Sequence, residues 1–307
     1  MDFDPALADG LRIAQVEQLT GVGPHTLRAW ERRYGVPTPN RTGGKQRMYS
    51  RADVELIRRM RALALRGMPL AAAAEKALAE APERAAAGES TTVALRERMT
   101  RALLAFDEAG AAAAWSEATE SFDILTVFER VVVPLMREVG LGWHAGTVTV
   151  AQEHFATNFV RARLDLLTRQ VAPLAGAPTV LLACIEGEHH ELGLLMLTVM
   201  LRFQGLRTIY LGQDVPGDAL IRISEDTQPE VVALNAGTLD GARRLPAVVS
   251  VLREAVPFSA IVYGGGAFEI EPGLRMGDGA RYGGPNLTAA VTLINQLGRS
   301  ARPGGIA

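Results

Sequence analysis

The sequence predicts a multidomain chain: an all-α winged helix-turn-helix module, a four-helix bundle, and an α/β domain on a doubly wound parallel sheet. Three observations carry this expectation. A basic N-terminal stretch breaks into short helices around glycine turns. An Ala- and Leu-rich middle keeps helical spacing from Val93 to Val171. From Pro178 onward, short apolar runs alternate with amphipathic segments.

At 307 residues the chain is long enough for two or three domains, each with its own core. Hydrophobic residues at 48% and charged residues at 21% are ordinary for a soluble globular protein and argue against large-scale disorder. The start MDFDPALADG has neither a basic region nor an apolar core, and no apolar stretch reaches the roughly 18 residues of a membrane span, so a cytoplasmic protein without membrane contact is expected. The one cysteine, Cys184, rules out a disulfide within the chain and argues against a thiolate metal cage; inside TVLLACI it reads as an inert core residue. Residues 12–66 hold twelve Arg and Lys against four Asp and Glu, a net +8, whereas the whole chain carries −2, leaving −10 elsewhere. Such asymmetry points to a basic module that meets a polyanion, attached to a body with another task.

In the basic module, Ile13, Val16 and Leu19 repeat at helical spacing and Gly21-Val-Gly23 ends that helix. Pro24 suits a first helical position and Gly35 a C-terminal cap. Between them Leu27, Trp30 and Tyr34 share an apolar face, which turns Arg28 and Arg32 outward as a recognition helix would. RTGGKQRMYS reads as a hairpin wing around a Gly-Gly turn, and Ser50 with Asp53 as the capping start of a third helix. A solvated basic face on a small helical domain is the competing reading.

Residues 81–91 lose apolar periodicity and are expected to be a linker between a domain at 1–80 and a bundle at 92–175. ILTVFERVVVPLMREVG is apolar almost all round, which suits a bundle centre kinked at Pro134. Residues 143–154, WHAGTVTVAQEH, then hold two of the five histidines. Gly146 fits a helix C-cap and Thr149 with Gln152 a capping box, so a short turn gathers Trp143, His144, Glu153 and His154. A core role would explain the tryptophan but not the glutamate and histidines beside it.

The α/β domain, expected over 176–303, has strand candidates TVLLACI, TIYLG, VVALNA, AIVYGGG and a short ARYGG, with helices near 190–203, 216–226, 240–255 and 286–299. Ligands of such sheets bind beyond the C-terminal strand edge, where both EGEHHELG and YGGGAF should lie. His189 and His190 complete a second histidine cluster, leaving only His25 alone, and one shared ligand or metal would explain both clusters. A dinucleotide cradle is disfavoured because GEHHELG lacks the G-x-G-x-x-G order and GGG follows the wrong strand.

TLRAWERRYG followed by a wing ending in RMY resembles the MerR family of winged helix-turn-helix regulators over residues 11 to about 78. The resemblance implies operator DNA as partner and a homodimer or higher assembly. It places Arg28, Arg33 and Tyr34 on the recognition helix and Lys45, Arg47 and Tyr49 in the wing region. Metal-sensing members carry cysteines after this module; their absence here implies another effector.

Glu188-x-His190-x-x-Gly193 resembles the cobalamin-binding signature, usually written with Asp first. By that resemblance His190 is the lower axial cobalt ligand and Glu188 fixes its tautomer. Gly193, Asn235, Thr238, Tyr263, Gly264, Gly265 and Gly266 surround the cofactor tail. Trp143, nine residues, then Glu153-His154 resembles the helical cap of adenosylcobalamin-dependent photoreceptor repressors of the CarH/LitR type, in the same domain order over essentially residues 11 to 300. In that family Trp143, Glu153 and His154 would pack around the adenosyl group, and His144 would ligate cobalt after light. Gly205 and Asp214 would lie at a subunit interface. His189 stands where relatives often have Arg, which implies either an altered subunit contact at that place or a histidine that competes as a ligand.

The function implied is a light-responsive transcriptional repressor, not an enzyme. It would bind its operator in the dark as a homo-oligomer, a dimer of dimers, and come apart when light breaks the cobalt–carbon bond. A corrinoid methyltransferase or mutase subunit would need a partner barrel of about 250 residues, for which there is no length. A regulator sensing cobalamin or another tetrapyrrole without light is the alternative.

Overall fold

A computed structural model describes residues 11–41 and 46–300. The chain divides into two compact units, Met1–Thr91 and Thr92–Ala307.

In the first unit, α1 (Ile13–Thr20) and α2 (Pro24–Tyr34) form the expected helix-turn-helix, with Gly35 closing α2 at φ 67°. The wing strands are β1 (Asn40–Arg41) and β2 (Arg47–Met48), paired antiparallel; Lys45 and the Gly43-Gly44 turn lie outside the described residues. In α3 (Arg51–Leu65) the Ser50–Asp53 capping box is formed, and the Asp53 carboxylate also accepts from the Thr38 N–H at 2.8 Å, tying the helix start to the chain before the wing. Val16, Leu27, Trp30, Val36, Tyr49 and Ile57 are buried together as the core.

The linker expected at 81–91 is helical instead: α4 runs over Leu70–Leu104. Loss of apolar periodicity signalled a break, but the alanines and glutamates there are strong helix formers, and helix propensity does not need an amphipathic pattern.

The second unit opens with the bundle. The end of α4 packs with α5 (Glu108–Ser121), α6 (Ile124–Val127), α7 (Val133–His144) and α8 (Val150–Arg169). Between α6 and α7, Phe128–Val132 form a π turn in which the Val133 N–H reaches the Phe128 carbonyl. The expected kink thus takes the form of a wider turn just before Pro134, which lacks an N–H and whose ring crowds the carbonyl four residues back. α7 ends at His144 with Gly146 left-handed at φ 74°, and α8 starts on the Thr149–Gln152 capping box.

The parallel sheet comprises β3 (Thr179–Ile185), β4 (Arg207–Val215), β5 (Val231–Asn235), β6 (Ala260–Gly264) and β7 (Arg281–Tyr282), in the order β4-β3-β5-β6-β7. The intervening helices are α9 (Leu192–Phe203), α10 (Gly217–Thr227), α11 (Leu239–Ala255), the short α12 (Ala267–Ile270) and α13 (Leu287–Ser300). This is a doubly wound arrangement whose order reverses between β3 and β5, so the loops leaving those strands flank the crevice where such folds bind ligands.

Side-chain alternation divides the sheet into two faces. Val180, Leu182, Cys184, Ala233 and Val262 share one continuous apolar core with the bundle and helices α9 and α13, whereas Leu181, Ala183, Leu234, Ile261 and Tyr263 pack beneath α10 and α11. Glu129 of the π turn reinforces the joint core by accepting from the Thr288 N–H at 3.0 Å and hydroxyl at 2.9 Å at the start of α13. Among the described residues no helix is long and apolar enough to cross a membrane.

At the crevice, Gly265 has φ 132°, and a Cβ there would stand 2.3 Å from the Ala236 carbonyl oxygen. Close approach of two backbones therefore requires glycine. Gly265→Ala should cost more than about 1 kcal/mol of stability, read as a lowered urea midpoint.

Candidate functional site

The loop from β3 to α9 is organised by one carboxylate. Glu188 is fully buried. Its Oε1 accepts from the His190 N–H at 2.9 Å and lies 2.6 Å from His190 Nδ1; its Oε2 accepts from the Gly237 and Thr238 N–H groups at 2.6 and 2.8 Å. These contacts bind the β3 loop to the β5 loop across the switch point. Thr238 is also the N-cap of α11, its hydroxyl accepting from the Gly241 N–H at 3.1 Å. Asn235 Nδ2 donates to the His190 carbonyl at 2.8 Å.

Burial by itself pushes the Glu188 carboxyl up, but the hydrogen bonds from His190 and Thr238 outweigh it and hold the group at about 2. His190 is raised from the ordinary 6.5, first by its bond to Glu188, against burial, with the charge of Glu153 adding to the rise. The two clusters separated in sequence are linked by a direct contact, since Glu191, next to His190, pairs with Arg161 of α8. With Nδ1 engaged, Nε2 is the nitrogen left to a metal, and the His190 side chain is 73% exposed. A buried carboxylate orienting an exposed imidazole is the donor arrangement of carboxylate–histidine–metal sites. A Cβ added at Gly193 or Gly264 would meet nothing within 4 Å, so space lies open beside the loop. These residues fit a cobalt corrinoid.

The bundle supplies the other wall. Trp143 and His144 occupy the last turn of α7, with ring centroids 4.7 Å apart, and Glu153 and His154 the first turns of α8. Trp143 is 43% exposed and both histidines are exposed, so none of them fills a core. Glu153 accepts from the Thr157 hydroxyl at 2.7 Å and holds His154 Nδ1 at 2.6 Å.

Two expected site residues, Tyr263 and Tyr49, are placed otherwise. Tyr263 is 1% exposed and faces the α10–α11 side of the sheet, away from His190, with its hydroxyl accepting from the Met276 N–H at 2.7 Å; strand alternation leaves Asn235 and Gly264, not Tyr263, on the cofactor side. Gly205 is buried at φ 83°, where a Cβ would strike the exposed Leu174 at 2.6 Å, so packing within the chain already requires glycine there. Tyr49 is fully buried under α2 and α3, bridged to Leu11, and beyond the reach of DNA. Asp214 stays exposed, but its carboxylate accepts from the Gly187 N–H at 2.7 Å, supporting the His190 loop from the side of β4. Gly266 adjoins the β5 loop, with its Cβ position 3.9 Å from the Gly237 carbonyl oxygen, and His189 is exposed.

On α2, Arg28, Arg32 and Arg33 are exposed above buried Leu27 and Trp30, and Tyr34 is half-buried. Arg47 Nε binds Glu31 of α2 at 2.6 Å, which fixes the wing strand against the recognition helix.

Sequence reasoning missed Arg161, Glu191 and Tyr210. Glu191 is 6% exposed, pairs with Arg161 of α8 and accepts from the Tyr210 hydroxyl at 2.7 Å. Nothing in their spacing signals this network, because its members come from three separate elements. Cys184 is buried as expected, its thiol pushed up to about 12 by burial.

The Glu188–His190 pair carries a pH signature. Glu188 is depressed, so its contribution to stability is present above the ordinary 4.5 and lost as pH falls toward 2. His190 is raised, so its contribution is present below 6.5 and lost as pH rises through its elevated value. The urea-midpoint gap between the cofactor-free wild type and Glu188→Gln should therefore be widest between 4.5 and 6.5 and narrow on both sides. A gap that is flat with pH would contradict the pairing.

Comparison with known proteins agrees with this organisation. Residues 11–80 match the MerR HTH family of regulatory proteins, and residues 95–168 and 178–290 each match a B12 binding domain. The HTH-type transcriptional repressor CarH of Myxococcus xanthus is 36% identical over 265 residues, 83% of this chain and 88% of its own. The repressor CarA of the same organism is 35% identical over 262 residues, 84% and 88% of the two chains. The structure of the Methanosarcina barkeri monomethylamine corrinoid protein shares the fold, with a TM-score of 0.54 at 17% identity over 66% of this chain and 98% of that one. With a MerR-type module ahead of two B12-binding matches, and with this identity over most of both chains, the protein belongs to the family of HTH-type transcriptional repressors that includes CarH and CarA.

Proposed function

We propose that the protein is a light-responsive repressor that holds adenosylcobalamin between the bundle and the α/β domain. The observation that carries this reading is the Glu188–His190 pair, fixed at the sheet's switch point beside Glu191, which pairs with Arg161 on α8. Bound adenosylcobalamin supplies a cobalt–carbon bond that green light cleaves.

The chain's residues do the rest. His190 would hold cobalt through Nε2, while Glu188 would keep the proton on Nδ1. Gly193, Asn235, Thr238 and Gly264–Gly266 would border the tail, with Gly265 keeping the β5 and β6 loops in contact. Trp143, Glu153 and His154 would cover the opposite side and exclude water from the adenosyl group. His144, exposed beside Trp143, would offer a further imidazole to the metal. Packed interfaces have discrete arrangements, so a change in what fills the cleft should shift α7 and α8 and, with them, the surfaces through which copies assemble. Arg28, Arg33 and Arg47, with Lys45 in the wing, would meet operator DNA. The dark state is then an oligomer on DNA, a dimer of dimers, and the lit state a dissociated one.

His190→Ala should release cobalamin on a desalting column, because affinity depends on the ligand itself. Glu188→Ala should lose roughly 10- to 100-fold. Retention by His190→Ala equal to wild type would refute the ligand assignment. Size-exclusion chromatography of the loaded protein should show a larger dark species that shrinks after green light. An unchanged elution volume despite spectroscopically confirmed photolysis would instead favour a light-independent cobalamin sensor.

In a salt titration of operator binding, Arg28→Ala should weaken affinity and flatten the log-log slope by about 0.9, leaving the cobalamin spectrum intact. Affinity and slope equal to wild type would place DNA elsewhere.

A further inference from the structure

The Arg161–Glu191–Tyr210 network lies between the two walls of the site. Glu191 follows His190 directly and is the N-cap residue of α9. One carboxylate oxygen pairs with Arg161 on α8 and the other accepts from Tyr210 on the edge strand β4 at 2.7 Å. Gly212, at φ 86°, leaves room for the second oxygen; a Cβ there would stand 3.4 Å from it. Arg161 lies on the same helix as Glu153 and His154, about 12 Å of helical rise beyond Glu153.

We infer that Glu191 is a positioning residue of the cofactor site: by gripping Arg161 and Tyr210 it sets the placement of α8, and so of Glu153 and His154, relative to the loop that carries His190. The inference rests on the reading that the cleft takes cobalamin, and adds which contact fixes the spacing of its walls. A carboxylate this buried cannot let go of a partner without leaving charge unpaired in apolar surroundings, so the contact holds one arrangement. Arg161 meets one Glu191 oxygen through a single terminal guanidinium nitrogen and Tyr210 holds the other, so the carboxylate is fixed from two sides. The rest of the joint core between α8 and α9 is apolar and non-directional, resisting separation more than sliding. At the far end of the same helices, Arg202 donates to the Thr168 carbonyl at 2.6 Å. With that end pinned, the site end of α8 is held to the His190 loop by Glu191 and to the end of α4 by Gln152, whose Nε2 donates to the Leu104 carbonyl at 2.7 Å.

The test is hydrogen exchange of residues 150–157 in the cofactor-free full chain, in a double-mutant cycle. Glu188→Gln loosens the His190 loop from its opposite side. It should speed exchange at the start of α8 by about tenfold when Arg161 is present, and leave it unchanged in an Arg161→Met background. An equal rise in both backgrounds overturns the inference. Should Arg161→Met fail to fold, Glu191→Gln, which keeps the size and can still accept from Tyr210, takes its place in the cycle with the same expectation. In the loaded protein, the wild type should retain adenosylcobalamin over methylcobalamin on a column, and Glu191→Gln should keep the imidazole-bound cobalt spectrum yet lose that preference; a variant that discriminates as the wild type does also overturns the inference. A wild type that takes up neither cobalamin would refute the cofactor reading, while the exchange cycle still decides the role of Glu191.

Discussion

A carboxylate removed from water must have both oxygens satisfied, and at Glu188 that requirement organises the crevice. One oxygen serves His190 and the other serves two consecutive backbone N–H groups at the start of α11. The β3 and β5 loops cannot drift apart without stranding the charge. The imidazole orientation, the tautomer and the path of the loop are therefore a single arrangement, not three. Asp214 and Asn235 brace the same loop, one holding the Gly187 N–H and the other the His190 carbonyl.

The bundle is joined to this crevice by a core it shares with one face of the sheet. Apolar burial gives that joint its strength, but direction comes from a few polar contacts: Glu129 with the start of α13, Arg161 with Glu191, and Arg202 with Thr168. The π turn at Phe128–Val132 belongs with them, since Glu129 lies within it. A wall held by few directional contacts depends on each of them for its placement.

The N-terminal module follows the same economy of contacts. Its arginines are free on the outer side of α2 because Leu27 and Trp30 occupy the inner one, and the wing is registered to that helix by Arg47 and Glu31. Tyr49, in a wing motif that invites a DNA role, is the aromatic filler beneath both helices. Its place next to Ser50, the cap of α3, makes it part of the module's frame.

The elements and their order were legible in the sequence because they depend on local physics. Gly35 and Gly146 supply left-handed caps, Ser50–Asp53 and Thr149–Gln152 close capping boxes, and apolar runs mark four of the five parallel strands, with ARYGG at the short fifth. Glu188 and His190 were legible as well, since two residues of spacing suffice for a carboxylate to reach its own loop's imidazole. Other features were not. The segment 81–91 is helical because propensity outweighs a missing amphipathic pattern. Tyr263 faces away from the site because strand alternation assigns it to the other face, and Gly205 is required by Leu174, a packing partner distant in the chain. The Arg161–Glu191–Tyr210 network joins a bundle helix, a loop and an edge strand. Sequence determined which groups exist and what each local stretch forms, because those terms act over a few residues. Which side chains meet across elements was decided only by the tertiary packing that brings distant faces together.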